Sequence, residues 1–166
     1  MPGMTEDTRP AVVAFDGSAP AGAALRTAAT LFTGRPLLVV SVWEQGLAYA
    51  LTPMSDIAGI AYVPPPPEEV VSIDRSQRDH AVGVAEAGAQ AARELGATAE
   101  ALAVADEVDI AATIVGVAHQ HDACAIVIGS RGLGRVKRLF GSTSRALLEQ
   151  SERPVLVVRA PDADDD

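Results

Sequence analysis

The chain has 166 residues, a length typical of one domain, and 48% of them are hydrophobic, so a sizeable core can form. Its net charge of −9 argues against nucleic-acid binding, because contacts with phosphates need a basic surface. No stretch approaches the roughly 20 apolar residues of a membrane span, and the acidic N-terminus lacks a signal-peptide pattern. We therefore expect a cytoplasmic protein with no nucleic-acid and no membrane partner.

Short apolar runs alternate with helical patterns along the chain. Continuous apolar runs of this length are typical of strands buried on both faces of a parallel sheet. Ser18 and Asp109 are placed to cap helices, and Gly34 and Gly96 to end them. The predicted strands are 11–15, 37–43, 98–104, 125–128 and 154–158, and the predicted helices follow Ser18, span Arg75 to Leu95, follow Asp109 and run through 146–148. This order predicts an α/β fold whose mostly parallel sheet is covered by helices on both faces.

Three segments fall outside that pattern. Residues 1–10 are expected to form a flexible N-terminus, and residues 160–166 an acidic disordered tail. Residues 45–72 are predicted to be a long excursion from the sheet, since the proline run 64–67 suits neither a helix nor a central strand. The predicted domain is therefore 11–159.

Residues suited to metal or nucleophilic chemistry are few. The only cysteine, Cys124, excludes an intramolecular disulfide, and its apolar neighbours predict a buried, unreactive thiol. His119 and His121 favour an exposed pair at a helix end over a metal site, because no third ligand is evident. No catalytic triad or carboxylate pair can be assembled from spacing, so no catalytic residue is predicted and enzymatic activity stays open.

The segment after the fourth predicted strand has the composition of a phosphate-binding loop. Glycines at 129 and 132 allow a close backbone approach, and Gly141 opens a helix whose N–H groups and dipole favour an anion. Ser142, Thr143 and Ser144 add hydroxyl donors at that end. Four of the chain's 13 basic residues lie within eight positions of this loop, namely Arg131, Arg135, Lys137 and Arg138. A solvated loop and a bound polyphosphate explain these charges equally well. The segment does not match the P-loop pattern Gly-x4-Gly-Lys-[Ser/Thr].

The spacing of this loop resembles the signature of the universal stress protein family. That signature is Gly-x2-Gly, a spacer, then Gly-[Ser/Thr], a helix and a Pro-Val-Leu-Val-Val strand, here ending at 154–158. The opening segment Val12–Ser18 and the strand 37–42 are similar to the same family, so the resemblance covers both ends of the chain and leaves out 44–75. The spacer Leu133–Phe140 is one residue shorter than usual, and Ala105-Asp106 stands where many members have a glycine.

The resemblance implies a fold, a ligand and a partner. The fold is a single Rossmann-like, adenine nucleotide alpha hydrolase-like domain with a five-stranded parallel sheet. The ligand is ATP or another adenine nucleotide, with or without Mg²⁺. The partner is a second copy of the chain, joined through the last strand, Val155–Val158. The residues implied to hold the nucleotide are Ala14, Phe15, Asp16, Val42, Ile128, Gly129, Arg131, Gly132, Gly141, Ser142 and Thr143.

Two points of the functional hypothesis stay open at this level. Asp16 is favoured as a ribose or metal ligand, although it could instead cap the turn at Gly17. The family implies a non-enzymatic stress-response regulator that acts as a nucleotide-dependent dimeric switch. A slow ATPase or phosphotransferase and a nucleotide-free interaction dimer are the alternatives.

Overall fold

A computed structural model of the chain describes residues 7–45, 66–106, 109–130 and 141–160. Five strands and four helices alternate within these residues. In chain order they are β1 (Ala11–Ala14), α1 (Ala19–Leu31), β2 (Leu37–Glu44), α2 (Pro67–Glu94), β3 (Ala99–Asp106), α3 (Ile110–Gln120), β4 (Ala125–Ser130), α4 (Ser142–Gln150) and β5 (Val155–Arg159).

All five strands belong to one parallel sheet with the order β3-β2-β1-β4-β5. The chain builds outward from β1 to β3, then crosses to the other side of β1 to add β4 and β5. The order therefore reverses between β1 and β4, which is the position where open parallel sheets bind ligands. The predicted α/β fold, with a five-stranded parallel sheet, is confirmed.

Each face of the sheet buries its own apolar core. In β1 to β4, odd-numbered residues such as Val13 and Val39 pack against α1 and α2, and even-numbered residues such as Val12 and Val40 pack against α3 and α4. This alternation follows from the period of two in a strand. Because both faces are covered, the strands are continuous apolar runs, and the sequence prediction of helices on both faces is correct.

The carboxyl edge of the sheet is stepped. β1 ends at Ala14, which pairs with Val40, whereas β2 continues to Glu44 and stays paired with β3 to its last residue. Four further residues extend β2 about 13 Å beyond the end of β1. β4 also runs past this level, since Val13 pairs with Val127 and the strand ends at Ser130. The short central strand thus leaves a notch in the sheet edge, with β2 on one side and β4 on the other.

The helix boundaries agree with the sequence except at the start of α2. Ser18 Oγ accepts a hydrogen bond from the Ala21 N–H, and Asp109 caps α3 in the same way. The α2 helix begins at Pro67, eight residues before the predicted Arg75, so the interpretation of the proline run as non-helical is wrong at its last member. Proline is favoured in the first turn because its missing N–H has no intrahelical partner there. The rest of the predicted excursion, 46–65, lies outside the described residues.

At the amino edge, charged side chains join segments that are distant in sequence. Asp7 accepts hydrogen bonds from Arg9 Nε and Nη2, both at 2.8 Å, and lies 2.7 Å from Arg35 Nη1. The Arg35 contact is ionic, because its geometry does not make a directed hydrogen bond. The hydrogen bond from Arg9 and the contact with Arg35 hold the pKa of Asp7 well below its usual range. Residues 7–10 of the predicted flexible N-terminus are therefore attached to the domain at this point.

A second connection at the amino edge links the turns before β4 and β5. Arg153 Nη1 donates to the Ala123 carbonyl at 2.7 Å and to Asp122 Oδ1 at 2.9 Å. Beside it, the Cys124 N–H donates to the Pro10 carbonyl. The Cys124 side chain is half-buried rather than buried as predicted, because it borders a wide surface hollow of about 620 Å³. The two arginines that border this hollow already contact Asp7.

Candidate functional site

A cavity of about 160 Å³ occupies the notch at the carboxyl edge, on the α3 and α4 face of the sheet. It is formed by the ends of three adjacent strands and the first turns of three helices. Its described lining is Ala14, Phe15, Asp16, Ser18, Ala21, Val40, Val42, Ile110, Ile114, Ile128, Gly129, Gly141, Ser142, Thr143 and Ser144. Ligand pockets usually measure about 300–1,000 Å³, so this cavity fits one ring system of a ligand whose remainder extends outside it.

The floor and one wall of the cavity are apolar. Val40 and Val42 come from β2, and Ile128 from the end of β4. Ile110 and Ile114, one turn apart on α3, lie opposite them. Ile110 lines the cavity and is 36% exposed, a high value for an isoleucine. A flat apolar ring is the chemical group that such a wall accommodates best.

The other wall is the N-terminus of α4. Gly141 occupies the N-cap position and has no side chain to accept a hydrogen bond, so within the described residues no side chain caps the N–H groups of the first turn. Thr143 and Ser142 line the cavity beside them, and Ser144 is buried with its hydroxyl donating to the Gly141 carbonyl. These N–H groups and the helix dipole make this wall attractive to an anion.

Asp16 and Ser18 shape the turn that leads from β1 into α1. Asp16 Oδ1 accepts a hydrogen bond from the Ser18 N–H at 3.0 Å, and Gly17 between them has a φ of +78°. Asp16 also lines the cavity. The carboxylate therefore serves the turn, as one of the two sequence interpretations proposed, at a position that borders the cavity.

Gly129 is required by a contact between backbones. A Cβ atom at this position would lie 2.4 Å from the carbonyl carbon and oxygen of Pro20 and 2.8 Å from the Ala21 nitrogen. Such distances cannot be tolerated, so the absent side chain is what allows the first turn of α1 to approach β4. The close approach that the sequence predicted at Gly129 is thus made by α1 in the protein itself.

The structure brings nine of the eleven sequence-predicted site residues around one cavity. They are Ala14, Phe15, Asp16, Val42, Ile128, Gly129, Gly141, Ser142 and Thr143. Arg131 and Gly132 lie outside the described residues. The Phe15 ring packs in the core on the α1 and α2 side, so its backbone is the part that faces the site. Sequence reasoning missed Ser18, Ala21, Val40, Ile110 and Ile114. Ser144, predicted as a further hydroxyl donor, lines the cavity, but its hydroxyl donates to the Gly141 carbonyl.

Alternation and helical spacing contained part of the missing information. Val40 shares a strand face with Val42, and Ile110 and Ile114 follow the Asp109 cap at positions one turn apart.

Among the described residues, no group of three or more His, Cys, Asp or Glu side chains is arranged to hold a metal ion. The helices of the described ranges are all too short or too polar to traverse a lipid bilayer.

Comparison of the sequence with protein-family models gives a match. The model of the universal stress protein family matches residues 8–159, nearly the whole length. The chain belongs to the universal stress protein family. A search among curated proteins finds no match.

Solved structures of universal stress proteins share the fold. One from Archaeoglobus fulgidus is 26% identical, with a TM-score of 0.63, and the match covers 90% of this chain and 97% of that one. The universal stress protein from Archaeoglobus fulgidus in complex with dAMP is also 26% identical, with a TM-score of 0.60 and coverage of 90% and 96%. A universal stress protein in complex with cAMP is 21% identical, with a TM-score of 0.63 and coverage of 92% and 98%, and shows likeness of fold alone.

Proposed function

We propose that this universal stress protein binds an adenine nucleotide in the notch at the end of β1, between β2 and β4, and acts as a nucleotide-dependent stress-response regulator in the cytoplasm. The observation that carries the proposal is the pairing of an apolar slot with an uncapped helix N-terminus in one cavity. The base would lie against Val42 and Ile128, and the phosphates would meet Gly141, Ser142 and Thr143. The dAMP complex of the Archaeoglobus fulgidus protein supports this ligand class.

The remaining predicted residues have roles that follow from position. Ala14, Phe15 and Asp16 lie at the end of β1, where a ribose would join the base to the phosphates. Gly129 would face the same sugar–phosphate junction. We include Arg131 and Gly132 in the proposal as further phosphate contacts on the strength of the family signature alone. ATP, with or without Mg²⁺, is the proposed physiological ligand.

Replacing Gly141 tests the phosphate wall. The residue has φ −69° and ψ 165°, an extended conformation that any residue can adopt. Gly141→Asp would supply a cap and a negative charge to the N–H groups of α4, and Gly141→Asn would supply a similar cap without the charge. Calorimetry with AMP, ATP and ATP with Mg²⁺ should show at least a tenfold loss of affinity for Gly141→Asp, and a smaller loss for Gly141→Asn.

The same pair of variants separates binding from folding. Both caps should leave the free energy of unfolding unchanged or raise it by a few tenths of a kcal/mol, since Asn and Asp are good N-caps and glycine is only slightly worse. Equal affinities in the wild type and both variants would place the phosphates elsewhere. Absence of binding of any adenine nucleotide at millimolar concentration would refute the proposed function. A phosphate-release assay on the same samples distinguishes binding from turnover.

A valine pair tests the apolar wall. Val42 lines the cavity, and Val104 is its partner on β3, packed against the same core but outside the cavity lining. Val42→Trp should fill the slot and abolish nucleotide binding, while Val104→Trp should retain it. The rise in melting temperature that ATP causes measures nucleotide binding by each variant. Loss of binding in both variants alike would indicate general damage to the sheet.

The dimeric switch is proposed from the position of β5. Within the described residues this strand is at the sheet edge and pairs with β4 alone, and its residues Val155–Val158 are half-buried apolar side chains. An edge strand with these properties is prone to pair with another chain. We propose that it pairs with β5 of a second copy and that nucleotide shifts this association. Sedimentation with and without ATP tests the point; an unchanged monomer in both would contradict it.

A further inference from the structure

One hydroxyl group at the cavity is buried and already bonded within the protein. Ser144 lies in the first turn of α4, is 2% exposed and lines the cavity. Its hydroxyl donates a hydrogen bond to the Gly141 carbonyl at 3.0 Å. Burial and this bond hold the hydroxyl oxygen in one position beside the cavity, with its proton directed at the helix backbone.

The carbonyl that receives this proton has a second donor. The Arg145 N–H also donates to the Gly141 carbonyl, at 3.1 Å. A carbonyl oxygen has two lone pairs, and these two bonds use both. When the hydroxyl proton turns away, the carbonyl keeps the bond from Arg145, so no buried group is left without a partner. Rotation about the Cβ–Oγ bond moves the proton alone, and the packed side chain stays where it is.

The neighbouring hydroxyls of the same turn are in a different environment. Ser142 is exposed and Thr143 is half-buried, so water competes with any ligand for both of them. Ser144 is shielded from water, and a hydrogen bond is electrostatically stronger in such surroundings. An ionised phosphate oxygen is also a stronger acceptor than a neutral carbonyl. A phosphate at this wall therefore attracts the Ser144 proton away from Gly141.

We propose that Ser144 acts as a switchable donor that makes the site selective for a phosphorylated ligand over the nucleoside. Its hydroxyl bonds to the Gly141 carbonyl in the ligand-free protein and turns its proton to a phosphate oxygen when a nucleotide binds. A nucleoside offers no charged acceptor there, so it leaves the original bond in place and gains nothing from Ser144. The inference rests on the proposed function, because it takes the phosphates to lie at the N-terminus of α4.

The experiment compares AMP with adenosine by calorimetry on the wild type, Ser144→Ala and Ser144→Cys. Both variants should lower the affinity for AMP by about tenfold, the size expected for one hydrogen bond to a charged group, and leave the affinity for adenosine unchanged. Cysteine nearly keeps the volume of serine and is only a weak donor, so an equal loss in both variants excludes altered packing as the cause. The urea midpoint of both ligand-free variants should stay close to that of the wild type, because Gly141 keeps its bond from Arg145.

Ser72→Ala is the matched control. The Ser72 hydroxyl donates to the Glu69 carbonyl at 2.8 Å, again three residues back along a helix, but it lies on α2 outside the cavity lining. This variant should keep both wild-type affinities.

Three results would overturn the inference while the proposed function stands. They are an unchanged AMP affinity in Ser144→Ala and Ser144→Cys, an equal loss for AMP and adenosine, and a loss in Ser144→Ala alone. If the wild-type protein binds neither AMP nor ATP, the proposed function itself has failed.

Discussion

The two edges of the sheet are built differently. At the amino edge, charged side chains connect distant segments: Asp7 contacts Arg9 and Arg35, and Arg153 joins Asp122 to the Ala123 carbonyl. At the carboxyl edge, the described connection between α1 and β4 is a contact of bare backbones at Gly129. Beside that contact, the first turn of α4 has no side-chain cap from Gly141.

The two edges differ in which of their polar groups already contact one another. Side chains at the amino edge use their charges on one another, which leaves little to attract a ligand there. At the carboxyl edge Gly141 supplies no side-chain acceptor, so within the described residues no side chain competes for the N–H groups of α4, where the phosphates of the proposed nucleotide would bind. Variants at the two edges should therefore change the free energy of unfolding by different amounts. The changes should also differ in how they depend on salt and on pH.

The largest expected effect is at the carboxyl edge. Gly129→Ala inserts a Cβ atom 2.4 Å from the backbone of Pro20 and should destabilise the protein by about 3 kcal/mol or more, because neither backbone can yield without moving a core element. Gly116→Ala is the control, since a Cβ there meets nothing within 4 Å. That helix-interior change should stabilise the protein by about 0.5–1 kcal/mol. Urea denaturation measures both; a cost below about 1 kcal/mol for Gly129→Ala would show that α1 moves aside easily.

An intermediate effect is expected at the amino edge. Arg153→Met removes the hydrogen bonds to Asp122 and Ala123 and should destabilise the protein by about 2 kcal/mol, mostly through the carbonyl left without its donor. Arg145→Met breaks an exposed pair with Glu149 on α4 and should cost only about 0.3–0.5 kcal/mol. Denaturation at low and high salt measures the two. Equal costs would mean that the Arg153 connection contributes no more than a surface ion pair.

The smallest expected effect is the acid sensitivity of Asp7. The pKa of this carboxyl is lowered in the folded protein, so its contribution is complete above its ordinary unfolded value near 4 and is lost as pH falls below that value. Asp7→Asn should therefore reduce stability at pH 7 and flatten its decline below about pH 4. Asp79→Asn on α2 is the control. Denaturation curves at pH 7 and pH 3 test this, and parallel declines in the wild type and Asp7→Asn would contradict it.

Much of the fold could be predicted from the sequence, because its elements are local patterns. Apolar runs bounded by turn residues predicted every strand of the described ranges, and the caps Ser18 and Asp109 predicted two helix starts correctly. The start of α2 differs from the prediction because the proline run was taken as non-helical throughout, on the ground that proline is unfavourable in a helix interior. Its last member, Pro67, instead begins one.

The candidate site could be predicted only where it follows strand ends. Asp16 and Gly129 were predicted because each directly follows a strand and the carboxyl ends of parallel strands share one edge, whereas Val42 was implied only by the family resemblance. Ile110 and Ile114 were missed as site residues, since only tertiary packing of α3 brings them over β2. The contact of Gly129 with the backbone of Pro20 could not be predicted either, because a contact between α1 and β4 leaves no local sequence pattern.

The step at the sheet edge has a consequence for how this architecture is inherited. The notch exists because β1 is four residues long and the adjacent β2 is eight. Strand length is set by where the chain turns, so the notch survives exchange of the side chains around it as long as no residue is inserted or deleted in β1 or β2. The Archaeoglobus fulgidus protein shares the fold at 26% identity, and at such distances we expect the recess to be kept while the groups that line it diverge. Insertions and deletions in these two strands, rather than substitutions, are the changes that would remove it.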